Sequence, residues 1–266
     1  DFLGNWGSTQ YSKDYVKGRN PKNGKMSQHY QFETNLSLTG ANADYRTPIK
    51  PSEQEDLLYK VYQGVKGVKV SDKRISVVVE KLKENKGKSI VVCDSNSTNT
   101  QQIVNAINHE LNNYNNTINI NKPDYLKQGN NNELLNLIDE MNKGQIGALI
   151  IHGSNPVYTY VNSKEFTSAL SNVELKVSTS IYLDETASLM NYVCPDHHNL
   201  ESWGDANPAH EKYTLMQPTI RPLFNTRQFQ DTLLEWCNRS DYQSYLQSYW
   251  MSKSVDWHKS LHDGYF

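Results

Sequence analysis

In this chain, short polar runs that follow apolar ones supply the groups best suited to chemistry. Asp94-Ser95-Asn96-Ser97 follows Ser89-Ile90-Val91-Val92-Cys93, and His152-Gly153-Ser154-Asn155-Pro156 follows Ala148-Leu149-Ile150-Ile151. If the apolar runs are parallel strands, both polar runs sit at carboxyl ends, where ligands gather and where helix N-termini offer free amides to anions. In the second run Gly153 lets a ligand approach the backbone, Asn155 can hydrogen-bond a base or phosphate, and Pro156 stiffens the exit. The same residues also suit an ordinary strand-to-helix turn. A third segment, Tyr182-Leu183-Asp184-Glu185-Thr186-Ala187, sets two carboxylates after a predicted strand. They suit a guanine base or ribose hydroxyls, and Asp184 equally suits a helix cap. The candidate ligand-binding set is therefore Asp94, Ser95, Gly153, Ser154, Asn155, Pro156, Asp184, Glu185 and Thr186.

Other groups carry less. His197 and His198, flanked by Asp196 and Glu201, have the side chains of a metal site. Adjacent histidines in an extended segment point opposite ways, so loop anchoring is the better expectation. Cys93, Cys194 and Cys237 are too widely spaced for a cluster-binding motif and are expected to be small core residues. No GxSxG, GxxxxGK[ST] or HExxH occurs, and no GxGxxG follows a predicted strand. No catalytic residue or metal ligand is assigned.

The elements that must position the candidates read as alternating helix and strand. Pro51-Ser52-Glu53-Gln54-Glu55 starts a helix whose apolar residues Leu57, Leu58, Val61, Tyr62 and Val65 recur at helical spacing until Gly64 and Gly67 end it. Helices are predicted over residues 73–83, 100–112, 132–142, 163–170, 226–237 and 241–251. Strands are predicted over 89–94, 147–152, 175–181 and 191–194. The alternation calls for an α/β fold with a mostly parallel sheet and flanking helices. Residues 1–50, rich in Gly, Asn, Tyr and Thr, read as an irregular N-terminal arm with a short helix near 11–17, leaving 51–266 as the α/β domain. Residues 196–224 read as loop.

Composition bounds the rest. A length of 266 residues with 36% hydrophobic content supports a sizeable core. The 27 basic and 29 acidic residues give a net charge of −2 with no basic cluster, which argues against nucleic acid as a partner. No apolar run approaches the ~20 residues that a membrane span needs, so direct insertion is not expected. The opening Asp1-Phe2-Leu3-Gly4 reads like the interior of a longer protein.

Four runs in order, Gly153-Ser154-Asn155-Pro156, Leu183-Asp184-Glu185-Thr186-Ala187, Tyr192-Val193-Cys194-Pro195-Asp196 and Leu200-Glu201-Ser202-Trp203-Gly204-Asp205, resemble the molybdopterin oxidoreductase (DMSO reductase) superfamily. Met26-Ser27-Gln28-His29-Tyr30-Gln31-Phe32-Glu33 and Gln217-Pro218-Thr219-Ile220-Arg221-Pro222 resemble, more closely, the large iron-sulfur subunit of alternative complex III, a quinol:cytochrome c oxidoreductase. The resemblance implies that Gly153 to Pro156 and Asp184 to Thr186 lie beside the guanosine end of a molybdopterin guanine dinucleotide, or of a groove that has lost it. No counterpart of the superfamily's molybdenum ligand is identifiable. Iron-sulfur clusters would lie elsewhere in the parent chain, and no cofactor is assigned to this piece. The implied role is a non-catalytic scaffold on the periplasmic side of a bacterial inner membrane, beside cytochrome and polytopic membrane subunits. A molybdenum-dependent oxidoreductase and a stand-alone α/β binding module are the alternatives.

Overall fold

The computed structural model describes residues 1–6, 9–126, 128–239 and 241–266. They form two compact units, Asp1–Asp124 and Tyr125–Phe266. The fold is α/β with parallel strands and flanking helices.

In the first unit the order is α1 (Thr9–Gly18), β1 (Tyr30–Glu33), α2 (Leu38–Ala41), β2 (Tyr45–Pro48), α3 (Gln54–Val65), α4 (Lys73–Glu84) and α5 (Thr98–Glu110). The apolar spacing read from the sequence buries Leu57, Leu58 and Val61 of α3 against Ile75 and Val79 of α4 and Val104 and Ile107 of α5. Gly64 makes the close approach possible. A Cβ there would meet a Val79 methyl at 2.6 Å, nearer than side-chain carbons pack. Helix starts follow their capping chemistry: Asp72 accepts from the Arg74 amide at 2.9 Å, and Ser97 from Thr100 at 3.4 Å.

Residues 1–50 are more ordered than their composition suggests. β1 and β2 pair in parallel, Tyr30 opposite Tyr45 with their rings stacked at 4.7 Å, and Phe32 and Ile49 pack on the helical core. The compact unit thus runs from residue 1 to 124, whereas the sequence suggests a boundary at residue 50.

Among the described residues, the strand predicted over 89–94 pairs with no other strand. Its backbone is met by side chains instead. Asn108, only 2% exposed, accepts from the Val91 amide at 3.0 Å and donates to the Val91 carbonyl at 2.8 Å, as a neighbouring strand would. Thr117 donates to the Ser89 carbonyl and Gln101 to that of Cys93.

The second unit contains α6 (Asn131–Asn142), β3 (Ala148–Ile151), α7 (Pro156–Thr159), α8 (Ser163–Leu170), β4 (Leu175–Ser178), β5 (Tyr192–Val193), β6 (Gly204–Ala209), β7 (Lys212–Met216), α9 (Phe229–Trp236), α10 (Tyr242–Ser252) and α11 (Trp257–Asp263). β3, β4 and β5 form a parallel sheet in that order, with Ala148 opposite Leu175 and Val177 opposite Tyr192. One face packs on α6 and α8 through Leu149, Ile151, Ile138, Met141 and Phe166. The helices that follow β3 are the crossover that parallel pairing requires.

Within residues 196–224, read as loop, the structure contains the antiparallel hairpin β6–β7. Pro208 lies at an irregularity between Ala206 and Ala209, the kind of position where a strand tolerates proline, and Glu211 at the turn has φ of 57°. Leu215 of β7 packs on Leu246, Trp250 and Trp257. β4 stops at Ser178, because the Thr179 and Ser180 segment turns into a side-chain-bonded loop instead of extending the ladder to residue 181. Cys194 and Cys237 are exposed, not core. One follows the short β5 and the other closes α9, and only Cys93 packs against a core.

Candidate functional site

The parallel register brings the carboxyl ends of β3 and β4 side by side. The Thr179 amide donates to the Ile151 carbonyl at 3.1 Å, so the 152–156 and 179–186 loops leave the sheet as neighbours. Gly153 takes a left-handed φ of 63°, the conformation that favours glycine, and a Cβ there would meet nothing within 4 Å. It and Ser154 are exposed, and their amides donate to nothing among the described residues. Pro156 then starts α7, where its missing N–H costs no hydrogen bond.

Asn155 joins the two loops. Its Oδ1 accepts from the Thr186 hydroxyl at 2.6 Å and the Thr186 amide at 3.2 Å, and its Nδ2 donates to Glu185 Oε2 at 2.8 Å. Thr186, fully buried, accepts in turn from the Val157 amide at 3.0 Å. Asp184 accepts from the Ala187 amide at 2.8 Å and the Ser180 hydroxyl at 2.9 Å, so it caps the turn that carries Glu185. The Asn155 amide and a local backbone hydrogen bond hold the Glu185 carboxyl below its usual range, which leaves an exposed carboxylate at neutral pH.

The structure thus gathers Gly153, Ser154, Asn155, Pro156, Asp184, Glu185 and Thr186 at one sheet end. Asp94 and Ser95 belong to the other unit, in the turn before α5, where the Ser95 hydroxyl accepts from the Ser97 amide at 3.1 Å.

A second cluster borders this end of the sheet. His152 Nδ1 lies 2.8 Å from Thr179 Oγ1 and 3.5 Å from Asp196 Oδ2, and its ring stacks on Phe229 at 4.3 Å. A proton on Nδ1 suits both oxygens and leaves Nε2 as the acceptor. Asp196 also accepts from the Phe229 amide at 2.9 Å, fixing the start of α9. The position of His152 directly after β3 is the signal that would have added it to the candidates; its partners, 27 and 44 residues on, have none.

The histidine pair is used in anchoring. His197 Nδ1 lies 2.6 Å from Thr226 Oγ1, while His198 Nδ1 accepts from the Leu200 amide. Glu201 accepts from the His198 and Leu223 amides, which together hold its carboxyl below the usual range. Among the described residues, no group of three or more His, Cys, Asp or Glu is placed to hold a metal ion.

The α/β fold, with parallel strands, helical crossovers and flanking helices, matches a molybdopterin-oxidoreductase-like architecture. Acetylene hydratase from Pelobacter acetylenicus superposes on 90% of the chain with a TM-score of 0.61 at 13% identity, and the chain spans 46% of that protein. The molybdopterin-binding-like subunit of menaquinone reductase from Nitratidesulfovibrio vulgaris is 32% identical over 91 residues, 33% of this chain and 13% of the relative. The first likeness establishes the fold, and the second is a sequence likeness to that subunit over 91 residues. No family model matches the chain. The chain spans less than half of either protein.

Proposed function

We propose that this chain is part of a non-catalytic, molybdopterin-oxidoreductase-like scaffold in a quinone-linked oxidoreductase complex, on the model of the large iron-sulfur subunit of alternative complex III. The observation that carries the reading is the closure of the loop pair on itself. Asn155 and Thr186, the uncharged polar side chains best placed to read a nucleotide, hydrogen-bond each other. The name of the menaquinone reductase subunit, molybdopterin-binding-like, supports the same reading. Its setting would be the periplasmic face of the inner membrane, with cytochrome and polytopic subunits as partners. Among the described residues no helix is long and apolar enough to cross a membrane. Any iron-sulfur clusters would then sit in other parts of the parent chain.

A working cofactor groove is the second reading, favoured by what the loops leave open. The free amides of Gly153 and Ser154 fit phosphate or ribose oxygens, and the Glu185 carboxylate fits the N–H edge of guanine. These three would hold the guanosine end of a molybdopterin guanine dinucleotide, with Asn155, Pro156, Asp184 and Thr186 fixing the loops that present them. Such a cofactor, when bound, supplies the redox centre; this chain's residues supply orientation.

Molybdenum and released guanine nucleotide per mole of parent protein, purified from its native membrane, decide between the two. Absence of both from a complex that still transfers electrons is the expected outcome. Stoichiometric amounts of both would replace the scaffold with a catalytic subunit.

A further inference from the structure

In the second unit, away from the residues proposed for the nucleotide groove, α10 and the β6–β7 hairpin enclose an open cavity of about 370 Å³. Its walls are aromatic: Tyr213, Tyr242, Tyr245, Tyr249 and Trp250, with Asp205 among them. Trp250 is buried, while Tyr245 and Tyr249 are 42% and 44% exposed, so the rim rings face solvent over an anchored floor.

The polar lining is one-sided. Both Asn207 amide protons go to its own hairpin, to the Ala209 and Lys212 carbonyls at 2.8 and 2.7 Å. The Trp250 indole N–H goes to Asp205 Oδ2 at 2.9 Å. With its side-chain nitrogen donors engaged, the lining offers ring faces, the Tyr213, Tyr245 and Tyr249 hydroxyls, and an Asp205 carboxylate that is already bonded to Trp250 and Tyr242 but keeps its charge. Ring faces are the negative side of the aromatic quadrupole and attract cations. The chain's own cations show this at the rim, where the Arg239 guanidinium lies 6.0 Å from the Tyr245 ring centre and the Lys253 ammonium 5.7 Å from that of Tyr249. Burial, and then the Asp205 charge, push the Tyr242 hydroxyl up to about 12.

We propose that this cavity is a binding site for a small organic cation of the alkylammonium class, held by the Tyr and Trp faces and by Asp205. The site is independent of the redox reading above.

The test titrates the whole chain with choline at constant ionic strength, following heat and tryptophan fluorescence. 3,3-Dimethylbutan-1-ol, which has the same shape without the charge, serves as the control. Saturable choline binding, about fivefold or more tighter than the neutral alcohol, is expected from the usual strength of such contacts. Asp205→Asn keeps an acceptor for Trp250 and removes the charge, and Tyr245→Ala removes an exposed ring. Each should weaken choline binding severalfold while far-UV circular dichroism stays unchanged. Sedimentation with phosphatidylcholine vesicles, compared with phosphatidylglycerol vesicles, would trace the cation to a lipid headgroup, and its absence to a free metabolite. Equal binding of the alcohol, no saturable binding, undiminished binding by Asp205→Asn, or a preference for a neutral disaccharide would overturn the proposal.

Discussion

Asn155 has one acceptor oxygen and one NH₂ group, and both are directed at the neighbouring loop. Replacing it with alanine would leave the amide and the hydroxyl proton of the fully buried Thr186 without an acceptor. Losing such partners costs about 1–3 kcal/mol. Urea denaturation of Asn155→Ala should show a loss in that range, with the Glu185 carboxyl rising towards an ordinary value in an NMR titration. A stability unchanged within a few tenths of a kcal/mol would mean that Asn155 does not tie the loops. The sequence marks residues 153–156 and 184–186 as strand-end loops, and in the structure the two loops meet. It does not mark the bond between them, because a contact across 31 residues leaves no local spacing. Nor could it separate Asp94 and Ser95 from the rest, since a polar run after an apolar one looks the same in either unit.

At the scale of elements, helices were the legible part. Their apolar residues recur every three or four positions and their caps are local, so the helix predicted over 163–170 matches α8 and those over 73–83 and 132–142 fall within a residue of α4 and α6. Strands were harder to read. β6 contains Asp205, Asn207 and Pro208, and its pairing depends on β7 beyond a turn that the side chains do not announce. The apolar run at 89–94 has strand composition, yet Asn108 supplies its partner from a helix. α9 has the spacing of a packed helix but buries none of its residues, leaving Leu233 and Trp236 exposed.

The β1–β2 pair carries its own acid sensitivity. Asp44 accepts from the two terminal Arg19 guanidinium nitrogens, at 2.7 and 2.8 Å, and from the His29 amide, at 2.8 Å, and these hold its carboxyl down at about 2. Burial also holds the His29 ring below its usual value. In both cases the unfolded chain binds the proton more tightly. Stability is therefore full above about pH 6.5, the ordinary His value, and falls as pH drops through that region and then from about 4 towards 2. Asp44→Asn should be less stable by about 1 kcal/mol at pH 7, allowing for its partial exposure, and the gap to the parent should close towards pH 2. Urea midpoints across this pH range would check it, and a constant gap would assign the effect to shape alone.

At the scale of the whole molecule, the two units have separate buried clusters: the first unit has one centred on Ile107 and Leu111, the second has one on Met141 and Phe166 and another on Leu246 and Trp250. Ile107→Ala should cost about 2–5 kcal/mol and Phe166→Ala about 3–5 kcal/mol. Hydrogen exchange read by mass spectrometry should place the lost protection of Ile107→Ala within residues 1–124 and that of Phe166→Ala within 125–266. Spread of either effect through both units would show that they unfold as one.

The side chains that meet the 89–93 backbone also bear on how this chain behaves in a crowded solution. An extended segment with bare amides and carbonyls is a template on which another chain can add a strand. Here the edge formed by Ser89, Val91 and Cys93 is already occupied by Thr117, Asn108 and Gln101. A foreign strand arriving there would have to displace groups held to its own helix and turn. Asn108 therefore acts as a guard against templated aggregation at that edge as well as a support for the segment.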